Sequence, residues 1–313
     1  MVGRALSVDL ARSVAAALMT AASRLRSRKH GVVLLYHRVT DREPVNGRLV
    51  PTVRARDFER QLALLRRCYR VVALDDILDI IRERRRGDRI PVAITFDDDL
   101  PEHLRVVAPR LRAAGLHSTF FLCGASLAAP KMFWWERLER AIDHGLDVQA
   151  LLMPELEAAS AGGAGELADV IKRSDWERRQ RVEAVLEHAV PGDPGEFLGA
   201  REIEELARDF QVGFHTRGHE YLPALDDARL ASALREGRAE LEVAAGQRIR
   251  AIAYPHGGID ERVPREARAA GFQLGLTTEA SGVGDDPMLL GRVEAAPASL
   301  GLFWLRVERA LRR

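Results

Sequence analysis

Ile90-Pro91-Val92-Ala93-Ile94-Thr95-Phe96-Asp97-Asp98-Asp99 is a run of β-forming residues, apolar enough to be buried on both faces, that stops abruptly in three carboxylates. A strand of this kind belongs inside a parallel α/β sheet, and its C-terminal end delivers acids to the mouth of the fold. Three adjacent carboxylates repel one another, so one must be protonated, solvated or neutralised by a cation. An exposed acidic turn would account for the triplet taken alone, and the rest of the chain has to decide between the two.

Working outward, Gly31-Val32-Val33-Leu34-Leu35-Tyr36 reads as a buried strand that stops at His37. A helix is expected over 56–68, with Phe58, Leu62, Leu65 and Cys68 near one face, then a short strand over 69–72 and a helix over 74–84. Arg84-Arg85-Arg86 before Gly87 suits the end of that helix, where cations oppose the dipole and glycine stops the coil. Beyond the acids come a helix bearing Leu104, Val107, Ala108 and Leu111, closed by Gly115, and a strand over 118–122. Strand, helix, strand is a parallel crossover unit. The rhythm resumes with a strand over 210–214 ending in His215-Thr216-Arg217-Gly218-His219, a helix over 226–245, a strand over 250–254 and the turn Pro255-His256-Gly257-Gly258. A helix over 260–270 and a strand over 272–276 complete the set. Strands centred on Val32, Val71, Ile94, Phe120, Val212, Ile252 and Leu274 predict an α/β fold, an incomplete (β/α)7 barrel without internal repeats.

Residues 124–209 break the alternation. Phe133-Trp134-Trp135 opens an amphipathic helix ending near Gly145, residues 158–165 are small and flexible in composition, and 175–188 is a charged helix. This is a largely helical insertion, long enough to act as a lid, a substrate wall or a partner surface. The aromatic run is expected to pack into a core rather than stack on a sugar ring.

The chain has 313 residues, 47% hydrophobic and 30% charged, with a formal net charge of +1, which gives no reason to expect nucleic-acid binding. Cys68 and Cys123 are too few for a disulfide framework and read as buried thiols of a reducing compartment. Residues 14–22 are apolar and follow Arg4, as in a secretory signal, but Asp9 and Arg12 interrupt the approach and the run is too short to span a bilayer. Leu6, Leu10, Val14, Leu18 and Leu25 recur at helical spacing, so residues 1–30 are read as an amphipathic helix. Its arginines, with Arg24, Arg26, Arg28 and Lys29, suit peripheral contact with an anionic membrane surface. Docking of the apolar face on the domain explains the same pattern and is the expectation here. Residues 300–313 form a second amphipathic, basic segment, leaving 31–299 as the barrel with its insertion. Localisation is read as cytoplasmic, at most peripheral to a membrane, with export as the alternative. No feature indicates an oligomeric state.

Four strands end in polar groups that a barrel would gather in one mouth: His37, the acids Asp97 to Asp99, His215 with His219, and Tyr254 to His256. His215 and His219 are spaced i, i+4 and share a side if the residues between make a helical turn. Two neutral imidazoles and one acid make an open, catalytic-type site for Zn²⁺, and Fe²⁺ or Co²⁺ accept similar ligands.

Thr95-Phe96-Asp97-Asp98 and His215-Thr216-Arg217-Gly218-His219, in that order and each at a strand end, resemble the polysaccharide deacetylase family, carbohydrate esterase family 4, over roughly residues 31–293. The resemblance implies that Asp97 is the general base and that Asp98, His215 and His219 bind the metal. Ala253-Tyr254-Pro255-His256-Gly257 is similar to the family's third motif, whose backbone N–H after the proline, here that of His256, helps hold the oxyanion. The implied activity is metal-dependent removal of N-acetyl groups from an N-acetylated sugar: a surface glycan, a lipid-linked precursor or peptidoglycan. Three positions depart from the pattern. Leu289-Leu290-Gly291-Arg292-Val293 stands where a leucine-rich motif with an acid histidine is usual, Ala253 replaces the arginine that often steadies the base, and Asp99 replaces a glycine. Asp99 can still adopt a left-handed turn.

His37 is the first replacement for the missing acid, because it ends strand one; capping or packing that strand end is its bland alternative. His256 is second and is expected to turn its side chain away while its backbone serves. His103 is third. His30, His117, His144 and His188 read as solvated surface. Two other functions fit parts of the pattern: a carbohydrate-binding pseudoenzyme that keeps the metal, and a hydrolase of small non-sugar amides. An intact Asp97 favours an enzyme, since a pure binder needs no base.

Overall fold

The structure is a computed structural model that describes residues 2–25, 30–42, 49–156, 163–191, 197–296 and 299–312, with side chains from Ser7 onward in the first segment. The chain opens with helix α1 (Val2–Leu25) and enters the first strand, β1 (Val32–Tyr36). Two rim strands follow, β2 (Arg38–Thr40) and β3 (Thr52–Arg54), paired parallel with each other. Then come α2 (Ala55–Cys68), β4 (Arg70–Val71), α3 (Ile77–Glu83), the acid-bearing β5 (Pro91–Asp97), α4 (Ala108–Ala114) and β6 (Thr119–Leu122). The insertion contributes α5 (Trp134–Asp143), α6 (Val148–Leu156), α7 (Ala164–Arg173), α8 (Trp176–Ala189) and α9 (Ala200–Ala207). The rest is β7 (Gln211–Phe214), α10 (Asp227–Ala233), α11 (Arg238–Ala245), β8 (Ala251–Ala253), α12 (Arg262–Ala269), β9 (Leu274–Leu276), β10 (Arg292–Glu294) and α13 (Leu300–Ala310).

All strand pairs are parallel, and the order β10-β1-β5-β6-β7-β8-β9 makes a seven-strand circuit. It is nearly closed. Gly275 N–H donates to Pro287 O, Leu290 N–H to Gly275 O and Thr277 N–H to Leu290 O, so β9 is tied to the segment that becomes β10. The predicted incomplete (β/α)7 barrel is therefore the observed fold, with one change of membership. The strand at Val71 exists as β4 but pairs only with the start of β5, off the circuit. The seventh stave is β10, a three-residue strand that the sequence reading passed over.

Strand alternation sorts the core. Val32, Leu34, Tyr36, Ile94, Phe96 and Phe120 share one face and pack under the helices, with Tyr36, Phe96 and Phe120 stacked across three strands at 5.2 and 4.9 Å. The opposite parity, Val33, Ala93, Phe121, Ala251, Ala253 and Leu276, fills the barrel. Thr95 and Asp97 on β5, and Arg292 and Glu294 on β10, have this interior parity, because Val33 pairs with both Ala93 and Arg292, and Leu35 with both Thr95 and Glu294.

Several local expectations are corrected. The helix predicted over 226–245 is two helices, α10 and α11, broken at Gly237, whose φ of +81° leaves the helical region. A Cβ at Gly237 would also lie 2.8 Å from the Arg217 side chain. In the insertion, α6, α7 and α9 were not anticipated; Gly165, read as part of a flexible stretch, lies inside α7, and residues 157–162 lie outside the described residues. The insertion builds its own core from Trp134, Trp135, Leu138, Leu152, Ile171 and Leu186, so the aromatic run packs as expected. Cys68 and Cys123 are free thiols. His117, His144 and His188 are exposed, whereas His30 is buried because it leads directly into the central strand β1.

The N-terminal helix docks on the domain through α13, but by the opposite face from the one its leucines predicted: Leu10, Val14, Leu18 and Leu25 point outward. Leu6, Arg26, Arg28 and Lys29 lie outside the described side chains. Among the described residues no helix is long and apolar enough to cross a membrane.

Candidate active site and metal centre

Asp97 is the last residue of β5 and 2% exposed, and Asp98 follows with φ +75°. A left-handed backbone at a non-glycine residue is costly and persists where its surroundings enforce it. Asp98, Thr216, His219 and His256 all adopt it, and they are the non-glycine residues with positive φ among the described residues. The left-handed position thus falls on Asp98 instead of Asp99. Asp99 turns back to accept the backbone N–H groups of Cys123 at 2.7 Å and Ala125 at 3.0 Å, tying the end of β6 to the acid loop. Its desolvation pushes the pKa up to about 6 against the pull of those donors.

His215 leaves the end of β7, and its Nδ1 lies 2.7 Å from the carbonyl of Ala253. A carbonyl only accepts, so Nδ1 carries the proton and Nε2 is left as an unprotonated ligand atom. Burial lowers the pKa of His215 to about 4, which keeps the imidazole neutral. The residues between the two histidines form a tight turn, closed by His219 N–H to Thr216 O at 3.3 Å, in place of the helical turn that the spacing suggested. This turn is held from the insertion. Arg179 of α8, 4% exposed, donates through Nη2 to the carbonyls of Gly218 at 2.8 Å and His219 at 3.2 Å.

The turn brings His219 Nε2 to 3.3 Å from Asp98 Oδ1, and His215 Nε2 lies 3.7 Å from the same oxygen. One ligand atom from each of Asp98, His215 and His219 falls within 4.8 Å of the others, and all three residues are buried. Asp98 Oδ1 is buried without a hydrogen bond, as a ligand oxygen would be. Burial pushes the Asp98 carboxyl up, but the imidazoles around it, His219 first and then His37 and His215, outweigh it and hold the group well below the usual carboxylate range. An ionised carboxylate and two imidazoles, that of His215 held neutral, fit a divalent cation.

Asp97 does not join that cluster; it faces Arg292. Arg292 of β10 is 1% exposed and grips the carboxylate with both arms, Nη1 to Oδ1 at 2.6 Å and Nη2 to Oδ2 at 2.7 Å. Its Nε donates to Thr277 O at 2.9 Å, which fixes the plane of the fork. Burial raises the Asp97 pKa, but Arg292, followed by His215, outweighs it and keeps the carboxyl below its ordinary value. Ala253 leaves no arginine beside Tyr254 to face Asp97. The guanidinium arrives from the other side of the barrel. The signal was present in Leu289-Leu290-Gly291-Arg292-Val293, a charged residue in an apolar run, but its strand is too short to show a period.

His37 sits at the rim with Nδ1 3.5 Å from Oε2 of Glu294, a second β10 residue that the sequence reading missed. The pKa of Glu294 is raised, by burial, against the pull of His37. His256 does not turn away as expected: its ring packs perpendicular to that of His219 at a 4.5 Å centroid distance. His103 is removed from the mouth. It is fully buried, its ring lies against Phe96 and Phe120, and its Nε2 is 3.2 Å from the carbonyl of His37.

His37, Asp97, Asp98, His215, His219 and His256 line one cavity of about 490 Å³, within the roughly 300–1,000 Å³ typical of small-molecule sites. The insertion closes its other side with Trp134 and Trp135 from α5 and Ala168, Asp169 and Lys172 from α7.

The profile of the polysaccharide deacetylase family matches residues 84–150 and 188–275. The gap falls on α6 to α8, and the match ends before Arg292 and Glu294. No curated protein matches the chain. Among solved structures the chain is similar to a Streptococcus pyogenes deacetylase, PplD, in complex with acetate, at 16% identity and a TM-score of 0.60, covering 89% of this chain and 98% of that one. It is also similar to a polysaccharide deacetylase from Bacillus cereus, at 17% identity, a TM-score of 0.57, and coverage of 89% and 69%. IcaB from Ammonifex degensii matches at 19% identity and a TM-score of 0.54, covering 91% of this chain and 97% of that one. At these identities the structural likenesses speak to the barrel, while the sequence profile takes in the strand ends that bear Asp97, Asp98, His215, His219 and His256. The chain belongs to the polysaccharide deacetylase family, as a divergent member.

Proposed function

We propose that this amide hydrolase removes N-acetyl groups from an N-acetylated sugar, with Asp97 as general base and with Asp98, His215 and His219 holding a divalent cation, zinc in the first instance. The observation that carries this reading is the separation of the two acids. Asp98 faces the two imidazoles of His215 and His219, whereas its neighbour Asp97 faces a guanidinium and is left ionised to accept a proton. When bound, the cation supplies Lewis-acid polarisation of the acetyl carbonyl and lowers the pKa of an attacking water. Asp97 takes a proton from that water, and Arg292 keeps the carboxylate charged and pointed into the cavity. The backbone N–H of His256, in its left-handed turn, donates to the oxygen that gains negative charge. His37, with Glu294 beside Nδ1, gives a proton to the departing amine. Trp134 and Trp135, buried in the core of the insertion, contribute to the wall of this cavity.

Arg292 bears on the alternative of a pseudoenzyme. The absence of an arginine at Ala253 would weaken an enzyme, and a buried fork on Asp97 stands in its place. Acetate release from N-acetylglucosamine oligomers, with and without chelator, tests the proposal alongside metal analysis. Chelator-sensitive release that Asp97→Asn abolishes while metal content is kept supports it, with His215→Ala losing both. Metal without release from oligomers, but with release from small cyclic amides, would move the substrate class away from sugars. Full activity in Asp97→Asn would overturn the base assignment.

A further inference from the structure

Helix α1 is amphipathic in the wrong sense for a docked helix. A helix that packs on a domain normally turns its apolar stripe inward. Here the inward face is polar. Thr20 and Ser23 donate to the carboxylate of Glu308 on α13 at 2.6 and 3.1 Å, Tyr69 donates to the same group at 2.6 Å, and Trp304 Nε1 donates to Thr20 at 2.9 Å. Asp9 accepts from Ser299 and from the Gly301 N–H at the start of α13. Gly301 permits this approach, since a Cβ there would lie 2.4 Å from the carbonyl oxygen of Asp9.

The outward face is apolar. Leu10, Val14, Leu18 and Leu25 are 54–68% exposed, with exposed alanines between them. At 100° per residue these positions fill about half the circumference of the helix. Asp9, Arg12 and Arg24, the charged residues between Ser7 and Leu25, all lie off that arc. Isolated exposed leucines are ordinary, but a continuous stripe along the helix marks a surface made to be covered. It does not lead across a bilayer, because the opposite face carries the hydrogen bonds to α13.

Charge identifies the occupant. Asp9 and Glu308 are the only acids in residues 1–30 and 299–313, and both are turned inward in hydrogen bonds. Arg12 borders the stripe, Arg309 is exposed on α13 and Arg312 just beyond it, and Arg26, Arg28 and Lys29 follow in the sequence, while Arg24 is turned inward onto the carbonyl of Cys68. A second copy docking by the same face would bring these cations together. We infer that α1 seats the protein on an anionic lipid surface, lying in the interface with Leu10, Val14, Leu18 and Leu25 at the boundary between headgroups and acyl chains. The inference does not depend on the assignment of the catalytic residues.

Flotation of the full-length protein with vesicles tests it, using phosphatidylcholine alone and phosphatidylcholine with about one third phosphatidylglycerol. The expected result is binding to the anionic vesicles only, weakened as salt is raised from about 0.05 to 0.5 M. Leu10→Ser/Leu18→Ser changes only exposed positions and is expected to lose at least about tenfold in partition, with melting temperature and acetate release retained. Failure to float, equal flotation with neutral vesicles, or a folded variant that floats like the parent each overturns the inference. So does a parent dimer in light scattering that the variant converts to monomer, because the face would then belong to a second copy.

Discussion

Replacing Arg292 by methionine removes the guanidinium from Asp97 and leaves an unbranched side chain in the barrel. Both partners are almost fully buried, at 1% and 2% exposure, so water cannot take over the two bonds of 2.6 and 2.7 Å. Leaving one member of such a pair unpartnered costs about 3–5 kcal/mol. The carboxylate can limit that cost by taking up a proton, but a protonated Asp97 cannot accept another from water. Stability and turnover therefore fall together. Asp97→Asn in the same background removes the stranded charge, so the double variant should recover about 2 kcal/mol or more relative to Arg292→Met while remaining inactive. Urea unfolding of the parent, both single variants and the double variant near neutral pH, with acetate release on each, closes the cycle. If Arg292→Met unfolds within about 1 kcal/mol of the parent, or the double variant is no more stable than Arg292→Met, the fork on Asp97 is not what Arg292 supplies. Arg292→Lys adds a graded case, since an ammonium keeps the charge but cannot make the two parallel bonds.

Three further outcomes follow from the geometry. Arg179→Met should weaken metal binding about 10- to 100-fold in a chelator competition, with far-UV circular dichroism unchanged, because it frees the carbonyls of Gly218 and His219 from α8; unaltered affinity would reduce Arg179 to a packing role. His37→Ala should lower kcat about a hundredfold or more with metal content unchanged, and an unchanged kcat would transfer the acid role to His256. Burial lowers the pKa of His103 to about 4, from an ordinary value of about 6.5. Between those values the unfolded chain binds a proton that the folded chain refuses, so stability falls as pH drops through that window. His103→Gln should reduce the slope of stability against pH by up to about 1.4 kcal/mol per unit, and an identical slope in both proteins would show that His103 is not the group responsible.

What was legible in the sequence is what short-range pattern can carry. Pro91 to Asp97 is a strand buried on both sides, so its apolar run and its terminal acids announced a parallel stave and its cargo. His215 and His219 were legible as a pair because four residues separate them. The backbone that joins them was not, since a tight turn with two left-handed residues leaves no compositional mark when neither is glycine. The N-terminal helix was recognised from the spacing of its leucines, and its orientation was then inverted. Periodicity reports that a stripe exists; only the partner residues, here Glu308 and Gly301 more than 280 positions away, decide which face turns inward.

Arg292 and Glu294 show where such reading stops. They stand on a strand of three residues, which is fewer than two periods of alternation, and that strand acquires its meaning from pairing with β1 at the far end of the chain. Closing the barrel sets Val33 beside Arg292 and Ala93, and this register brings the fork within reach of Asp97. The arginine expected next to Tyr254 would approach Asp97 from β8; in this chain a guanidinium approaches it from β10. At the position where that arginine would stand, Ala253 instead offers its carbonyl to His215 Nδ1. A barrel permits such an exchange because its interior is reached from every stave. In this chain the buried guanidinium that faces the first acid comes from the last stave, outside the motifs that carry the acids and the histidines.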